Sequence, residues 1–411
     1  MSAAGRMAPG VSEPVPGKEH VERPAAARTH RIPVCDARTT TQRFYHPELD
    51  VLRFFAFLLV FVHHHFPGIS GQYNPRLGKL VAISVSSVAS AGAFGVDIFF
   101  ALSSYLITEL LLREKTRSGR VDVRSFYFRR ILRIWPLYFF FLALAACING
   151  LIPNEHVSGK AIAVFLLFSG NWWMMFAGRS VSVINPLWSV SVEEQFYLTW
   201  PPLVRSLDER GMLRASGIML LVSNSVRLAI ALAHVESERY IWFNTLTRLD
   251  PIALGIITAV LLRGRSPTLS PVRRSLLFVT SLALLLAAAN VLHTRAEVVH
   301  LSIMLGYPLV ALSSVGFLVS LLVRNPPWYA RGRLVYLGRI SYGLYVFHAL
   351  GLKLAHVIGA HASFGSRIVK GEGALGFVLT LTMAIVSYHA LERPFLRIKE
   401  RYSHVLSRPG G

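Results

Sequence analysis

Three consecutive histidines, His63 to His65, end an apolar run that reads FLLVFVHHHFPG from Phe57 to Gly68. An imidazole gains and loses its proton near neutral pH, so a histidine here can serve as a general base. Consecutive helical residues point about 100° apart, whereas two histidines that share a metal on a helix stand at i and i+4. The run therefore predicts proton-transfer chemistry and no metal site.

Asp97, in the segment FGVDIFFALSSYLIT, is a carboxylate placed to assist that chemistry. His64 lies eleven residues, or about 16 Å, beyond Arg53, and Asp97 lies sixteen residues, or about 24 Å, before Arg113. The two segments run in opposite directions, so His64 and Asp97 reach the same half of the membrane. We expect the carboxylate to orient the imidazole and raise its basicity. Pairing with an arginine or a histidine only to neutralise a buried charge is the alternative.

A pair of adjacent glutamates occurs in the segment PLWSVSVEEQFYLTWP. Glu193 and Glu194 point about 100° apart on a helix, so only one of them can face a shared site fully. Glu193 has Tyr197 and Trp200 on its own face, which predicts a polar and aromatic lining. Ordinary helix packing explains the two aromatic residues equally well.

Arginines cluster in the segment FYFRRILRIWPLY. Arg130 and Arg133 are three residues apart and share a helix face, which suits the phosphates of a large anionic ligand that approaches from the cytosol. Stop-transfer charge at a helix end is the alternative, and it accounts for Arg129. His348, alone in LGRISYGLYVFH, is more typical of a hydrogen-bonded packing residue.

The composition decides what kind of scaffold positions these side chains. The 411 residues are 53% hydrophobic and 16% charged, with a mean hydropathy of +0.46. A net charge of +21 is typical of nucleic-acid-binding proteins. The basic residues of this chain, however, lie between apolar segments long enough to cross a hydrocarbon core of about 30 Å. We therefore predict an all-α polytopic integral membrane protein with no nucleic-acid partner.

Ten apolar segments are candidate transmembrane helices. They cover residues 50–66, 93–112, 131–151, 187–206, 214–234, 248–263, 274–293, 301–323, 335–358 and 374–395. With both termini in the cytosol, the cytoplasmic segments hold 30 Lys and Arg and the opposite loops hold 8, as the positive-inside rule requires. An eleventh stretch at 161–176 would invert three basic loops if it crossed. We predict that it is an interfacial or re-entrant piece on the outer side.

The segments outside these helices carry little further information. Residues 1–43 are rich in Pro, Ala and Arg and contain no apolar signal-peptide core, so we expect a disordered basic cytoplasmic tail. Residues 44–397 form one transmembrane domain, and residues 398–411 form a short cytoplasmic tail. Cys35 and Cys147 form neither a metal-type spacing nor a disulfide framework.

Seven motifs occur in one order between about residues 44 and 397. They are LDVLRFFAFLLVFVHHH, FGVDIFFALSSYLIT, RRILRIWPLY, WSVSVEEQFYLTWP, RLDPIALG, ISYGLYVFH and LERP. In this set the chain resembles the membrane-bound acyltransferase-3 family, which includes acetyltransferases of O-antigen, capsule and nodulation factors and O-acyltransferases of macrolides. Val51 and Ser104 stand where the family usually has glycine, which affects helix packing and removes no charged group.

The resemblance implies transfer of an acyl group, with acetyl expected, from acyl-coenzyme A to a hydroxyl of a glycan, a lipid-linked glycan or a secondary metabolite. The family's signature of an arginine, ten residues and a histidine falls on Arg53 and His64. Its arginine pair falls on Arg130 and Arg133 as donor contacts, and the glutamate of its SxxxE element falls on Glu193.

These expectations define one candidate site in a multi-pass protein of the plasma membrane. We expect no metal and no permanently bound cofactor, since acyl-coenzyme A is a co-substrate. The expected catalytic residues are His64, Asp97 and Glu193, and the expected donor-binding residues are Arg53, Arg130 and Arg133.

Two other kinds of protein fit some of the same residues. A transporter or flippase also places His, Asp and Glu within the membrane as a proton relay, but it predicts inverted repeats, which the sequence lacks. A non-catalytic sensor or scaffold would tolerate the loss of both His64 and Arg130.

Overall fold

The computed structural model describes residues 45–66, 79–153, 155–178, 182–233, 238–293, 299–323, 329–361 and 371–400. These residues form helices and connecting turns, and no strand occurs among them. The tail predicted at 1–43, which includes Cys35, lies outside the described residues, and so do residues 401–411 of the tail predicted at 398–411.

The helices follow one another along the chain with short connections. They are α1 (Pro47–His65), α2 (Lys79–Gly92), α3 (Gly95–Ser118), α4 (Val123–Cys147), α5 (Gly159–Leu166), α6 (Gly170–Ala177), α7 (Trp188–Ser206), α8 (Glu209–Leu232), α9 (Arg239–Trp242), α10 (Leu249–Leu262), α11 (Pro271–His293), α12 (Val299–Leu321), α13 (Gly332–Arg339), α14 (Ser341–His361), α15 (Glu372–Ser387) and α16 (Arg393–Glu400). Turns of 3₁₀ helix precede α7 and α10, and a π-helical turn joins α15 to α16. The all-α class is confirmed.

Seven helices within the described residues are long and apolar enough to cross a membrane. They lie at Ser86–Ser118, Val123–Cys147, Glu209–Leu232, Pro271–Leu292, Ser302–Leu321, Ser341–Ala360 and Glu372–Ile398. Three more of the ten predicted segments are also helical, as α1, α7 and α10. Helices α1 and α7 carry several charged residues, so their composition alone does not identify them as membrane spans. Helix α10 has 14 residues, so its length alone does not identify it as one. The count of ten and the orientation of the termini stay predictions.

Two parts of the helix assignment differ from the sequence prediction. Helix α2 occupies a stretch that the sequence prediction leaves as a loop, because its 14 residues are fewer than a membrane span needs. The predicted segment 335–358 is divided at Ile340 into the short α13 and the long α14.

The stretch 161–176 forms two short helices, α5 and α6, with eight residues in each. Each is about 12 Å long, well short of the hydrocarbon core, so this stretch does not cross as a single span. The Asn171 amide of α6 donates to the Phe243 carbonyl oxygen at 3.0 Å, and the Gln195 amide of α7 donates to the Asn171 side chain at 2.9 Å. These hydrogen bonds hold α6 against α7 and against the residue that follows α9.

Helix α1 packs against α2, α3, α13 and α14, and it meets α3 through glycine. A Cβ atom on Gly95 would lie 2.5 Å from the Ala56 carbonyl oxygen and 2.8 Å from a Val60 methyl carbon. Only a residue without a side chain permits this approach of the two backbones. The contact therefore sets the position of α1 relative to the rest of the bundle.

We predict that Gly95→Ala destabilises the protein by about 1–3 kcal/mol through overpacking. The matched control is Gly217→Ala in α8, where a Cβ would meet nothing within 4 Å. That control should be neutral or stabilising, because alanine has the higher helix propensity. Unfolding of the detergent-solubilised protein followed by circular dichroism tests both. Equal stability of the two variants would contradict the close α1–α3 contact.

Candidate active site

A cavity of about 130 Å³ opens between α1, α3, α4, α7 and α14. We call it the arginine cavity, because three arginines from two helices line it. Its polar lining residues are Tyr45, His46, Asp50, Arg53, Ser103, Arg130, Arg133, Ser189, Glu193, Tyr197, Ser341, Tyr342 and Tyr345. Apolar side chains from α1, α3, α4 and α7 complete the wall. The lining of the cavity thus combines cationic side chains with apolar ones.

Arg130 and Arg133 both line the cavity, as their spacing on one face of α4 predicted. The Arg130 guanidinium lies over two aromatic rings, 5.2 Å from the centroid of Tyr197 and 5.4 Å from that of Phe126. Stacking of this kind stabilises the cation and leaves its in-plane N–H groups available for a planar or tetrahedral anion. Arg129, the third arginine of the segment, instead pairs with Glu114 at 3.0 Å.

Arg53 enters the same cavity from the first turns of α1. Asp50, three residues earlier, accepts a hydrogen bond from the Arg53 guanidinium at 2.6 Å, and its other oxygen accepts one from the Tyr45 hydroxyl at 3.0 Å. Asp50 thereby fixes the direction of the arginine. Asp50 was not predicted from the sequence, although it stands three residues before Arg53, which is the spacing of a helical ion pair.

Glu193 faces the cavity, in line with the expectation that one member of the glutamate pair would do so. Its carboxylate accepts hydrogen bonds from the Ser103 hydroxyl at 2.8 Å and the Tyr197 hydroxyl at 3.0 Å. Glu194 turns toward α4, where its carboxylate accepts from the Trp135 indole N–H at 3.3 Å. The two adjacent carboxylates therefore lie in different environments.

Of the two aromatic residues that share the face of Glu193, one lines the site and the other serves helix packing. Tyr197 lines the cavity, whereas Trp200 is fully buried and donates its indole N–H to the Thr108 hydroxyl at 2.8 Å. Tyr197 belongs to the site, and Trp200 packs α7 against α3. The sequence carries one weak signal for Ser103, which is that its hydroxyl lies on the same predicted helix as Asp97.

The three histidines lie at the opposite end of α1 from Arg53 and have separate surroundings. His64 is exposed, and its Nδ1 donates to the Val60 carbonyl oxygen of the same helix at 2.9 Å. His63 contacts the Ala89 carbonyl oxygen of α2 at 2.9 Å, and the His65 ring stacks on Phe61. The His64 ring lies 4.8 Å, centroid to centroid, from that of His348 on α14.

Asp97 does not orient His64, and this corrects the expectation from the sequence. Its carboxylate is 2% exposed and accepts a hydrogen bond from the Arg248 guanidinium at 2.7 Å. A guanidinium keeps its charge at every physiological pH, so it neutralises a buried carboxylate better than an imidazole does. The alternative considered above, pairing with an arginine to neutralise a buried charge, describes the structure.

A second buried ion pair lies beside the first. Arg227 of α8 binds Asp250 of α10 through two hydrogen bonds, at 2.6 and 3.0 Å. The Arg248 guanidinium lies 4.6 Å from the Trp242 ring centroid and 5.2 Å from that of Tyr307. These contacts connect α3, α8, α10 and α12, so we assign Asp97 to the framework behind the cavity.

Comparison with known proteins gives the chain its relatives. The model of a family described as an acyltransferase domain matches residues 46–389. The chain belongs to this family.

Its curated relatives include the O-acetyltransferase OatA of Staphylococcus aureus strain NCTC 8325, which is 25% identical over 377 residues. A putative O-acetyltransferase of S. aureus strain MSSA476 is 25% identical over 363 residues. The two alignments cover 85% and 79% of this chain, and the chain spans about 57% of the length of either relative. No solved structure matches the chain.

In this acyltransferase family member, the matched region contains the histidine end of α1 and every lining residue of the arginine cavity except Tyr45. The structure brings Arg53, Arg130, Arg133 and Glu193 into one cavity. It places His64 outside the cavity lining and Asp97 in the neighbouring ion-pair framework. The polar lining residues that were not singled out from sequence are Tyr45, His46, Asp50, Ser103, Ser189, Ser341, Tyr342 and Tyr345.

We predict that Asp97→Ala destabilises the protein by about 3–5 kcal/mol, because it leaves the charge of Arg248 buried without its partner. The comparison is Asp208→Ala, which removes a cap at the start of α8 and should cost about 1 kcal/mol. The free energy of unfolding in detergent micelles is the measurement. A smaller loss for Asp97→Ala than for Asp208→Ala would contradict the framework role.

Proposed function

We propose that this chain is an integral membrane O-acyltransferase that transfers an acyl group, acetyl by expectation, from acyl-coenzyme A to a hydroxyl of a glycan or a glycosylated metabolite. The observation that carries the proposal is the layout of α1. One end of this helix contributes Arg53 to the arginine cavity, and the other end carries His64. Membership of the acyltransferase family supports transfer over transport or sensing.

The arginine cavity suits the donor. Coenzyme A combines several phosphates with a long, flexible arm that ends in a thiol. Arg53, Arg130 and Arg133 would bind phosphate oxygens by charge-assisted hydrogen bonds, and the apolar wall would cover the arm. The carboxylate of Glu193 would accept hydrogen bonds from amide N–H groups of the arm. The site thus uses no permanently bound cofactor.

The side chain of His64 supports the role of a general base. Its Nδ1–H is directed to the Val60 carbonyl oxygen, which leaves Nε2 as the nitrogen that can take up a proton. His64 lies eleven residues, or about 16 Å, beyond Arg53 along one helix. The arm of the donor would extend along α1, so that the thioester meets the base far from the phosphates.

The reaction then has a simple balance of bonds. The acceptor hydroxyl gives its proton to Nε2 of His64 while its oxygen bonds to the thioester carbonyl carbon. The tetrahedral intermediate collapses, the carbon–sulfur bond breaks, and the thiolate takes up a proton to leave as coenzyme A. The products are an acyl ester and a free thiol.

The charge of the loops indicates the side of the membrane from which the acceptor reaches the site. On the positive-inside rule, the arginine end of α1 faces the cytosol, which supplies acyl-coenzyme A, and His64 faces the outer side of the plasma membrane. The relatives are named O-acetyltransferases, which suits an acetyl donor. A lipid-linked glycan, a surface polysaccharide and a secreted metabolite would all reach His64 from that side.

We predict that His64→Ala lowers transfer by about 10²–10⁴-fold, the contribution of a general base. Membranes of cells that express the full chain are given coenzyme A carrying a labelled acetyl group, and label in base-labile ester is counted. The control is His65→Ala, whose ring stacks on Phe61 and should leave transfer nearly unchanged. Undiminished transfer by His64→Ala would contradict the proposed base. Coenzyme A-independent solute movement with no ester product would favour a transporter.

We predict that Arg130→Gln raises KM for acetyl-coenzyme A about tenfold or more, since a hydrogen bond to a charged group contributes about 1.5–3 kcal/mol. Arg124→Gln is the matched control, because Arg124 is exposed on the same helix and lies outside the cavity lining. The two variants are compared by initial rates over a range of donor concentrations. An equal KM in both would exclude Arg130 from donor binding.

A further inference from the structure

His348 of α14 lies between the arginine cavity and His64. It is completely buried, with 0% of its surface exposed. Its ring centroid lies 4.8 Å from that of His64 on one side and 5.4 Å from that of Tyr345, a cavity-lining residue, on the other. The ring of Phe57 covers a third side, at 6.4 Å. His348 therefore touches both halves of the candidate site.

The two ring nitrogens of His348 have different surroundings. Nδ1 is 2.5 Å from the Tyr345 carbonyl oxygen, so it carries the hydrogen and donates it. Nε2 is then an acceptor, and within the described part of the chain it has no hydrogen-bond partner. A buried acceptor without a donor costs free energy, and a packing histidine would be expected to satisfy both nitrogens.

Tyr345, the cavity-lining residue beside His348, is held in place by hydrogen bonds. The Tyr345 hydroxyl donates to the Pro186 carbonyl oxygen at 2.9 Å and shares a second hydrogen bond of 2.6 Å with the Ser189 hydroxyl. The Tyr345 hydroxyl is thus held by Pro186 and Ser189, and Nδ1 of His348 is held by the backbone of its own helix. Nε2 of His348 is thus a buried basic atom without a hydrogen-bond partner among the described residues, and its ring lies between those of Tyr345 and His64.

We infer that His348 is a proton relay in the transfer reaction, an inference that rests on the proposed function. The proton removed from the acceptor oxygen starts on Nε2 of His64, which is exposed, whereas the thiolate is released on the cavity side. His64 passes this proton to Nε2 of His348, and His348 gives it to the thiolate sulfur. Each imidazole keeps its Nδ1–H and returns to the neutral form. No further reactant is needed.

The relay accounts for features that a packing role does not explain. A histidine between the two reaction partners needs one bound and one basic nitrogen, and the contacts of His348 provide that arrangement. Burial by Phe57 and Tyr345 excludes water, so the proton is delivered to the leaving group and not to bulk solvent. His348 would contact the leaving sulfur and is, in that sense, a catalytic residue.

The first test is His348→Gln in full-length protein, assayed by label transfer from acetyl-coenzyme A in membranes. Glutamine fills a similar volume and forms hydrogen bonds, but it does not take up a proton at neutral pH. We expect kcat to fall at least about 100-fold with KM for acetyl-coenzyme A within about twofold of wild type. His356→Gln, an exposed histidine on the same helix, is the control and should retain wild-type kcat.

The second test separates proton transfer from packing. In His348→Ala, added imidazole should restore transfer, whereas pyrazole, which has the same size and is a far weaker base, should not. Equal stimulation by both compounds, or wild-type kcat in His348→Gln, would overturn the relay. If wild-type membranes transfer no label to ester, the proposed function itself fails. Normal wild-type transfer with an active His348→Gln removes only the relay.

Discussion

The structure depends on one constraint, which is that an ionised side chain in an apolar bundle must be neutralised where it stands. Charges within membrane helices cost several kcal/mol unless partners surround them. The pairs Asp97–Arg248 and Arg227–Asp250 meet this constraint in the interior. Because each pair joins two elements, the neutralisation of charge also fixes which helices are neighbours.

The same constraint distinguishes the functional groups from the framework. The Asp97 carboxylate is buried and paired with the Arg248 guanidinium, so we assign it to the framework. Arg130 is stabilised mainly by aromatic rings, which leave its N–H groups directed into the cavity. His348 keeps an unpaired acceptor in a fully buried position. Arg130 and His348 are the two groups that we assign to the donor and to the proton.

Helix α1 carries residues of both parts of the candidate site. It carries Arg53 near its start and His64 near its end, and its close contact with Gly95 of α3 fixes the helix axis. A shift of α1 would therefore move Arg53, which we propose binds the donor, and His64, the proposed base, together. Asp50 and Tyr45 hold the Arg53 side chain at one end, and the Val60 carbonyl holds the His64 ring at the other.

Helical periodicity alone predicted several local features correctly. It placed Arg130 and Arg133 on one face, separated Glu193 from Glu194, and bounded α7 and α10 to within one residue. These features depend on 3.6 residues per turn and on hydropathy, which the sequence carries locally. Helix α2, with 14 residues, and the separate eight-residue α13 before Ile340 were missed because the prediction looked for segments long enough to cross a membrane.

The partners of the polar groups were decided only by the tertiary structure. Depth along a helix put Asp97 level with His64, but depth says nothing about rotation or about which helix is adjacent. Packing brought Arg248, 151 residues away in sequence, to Asp97, and it brought His348 to His64. The sequence by itself thus determined which side chains lie within the membrane and how they are spaced on each helix. The tertiary structure decided which of them meet, because buried charges select partners by proximity across helices.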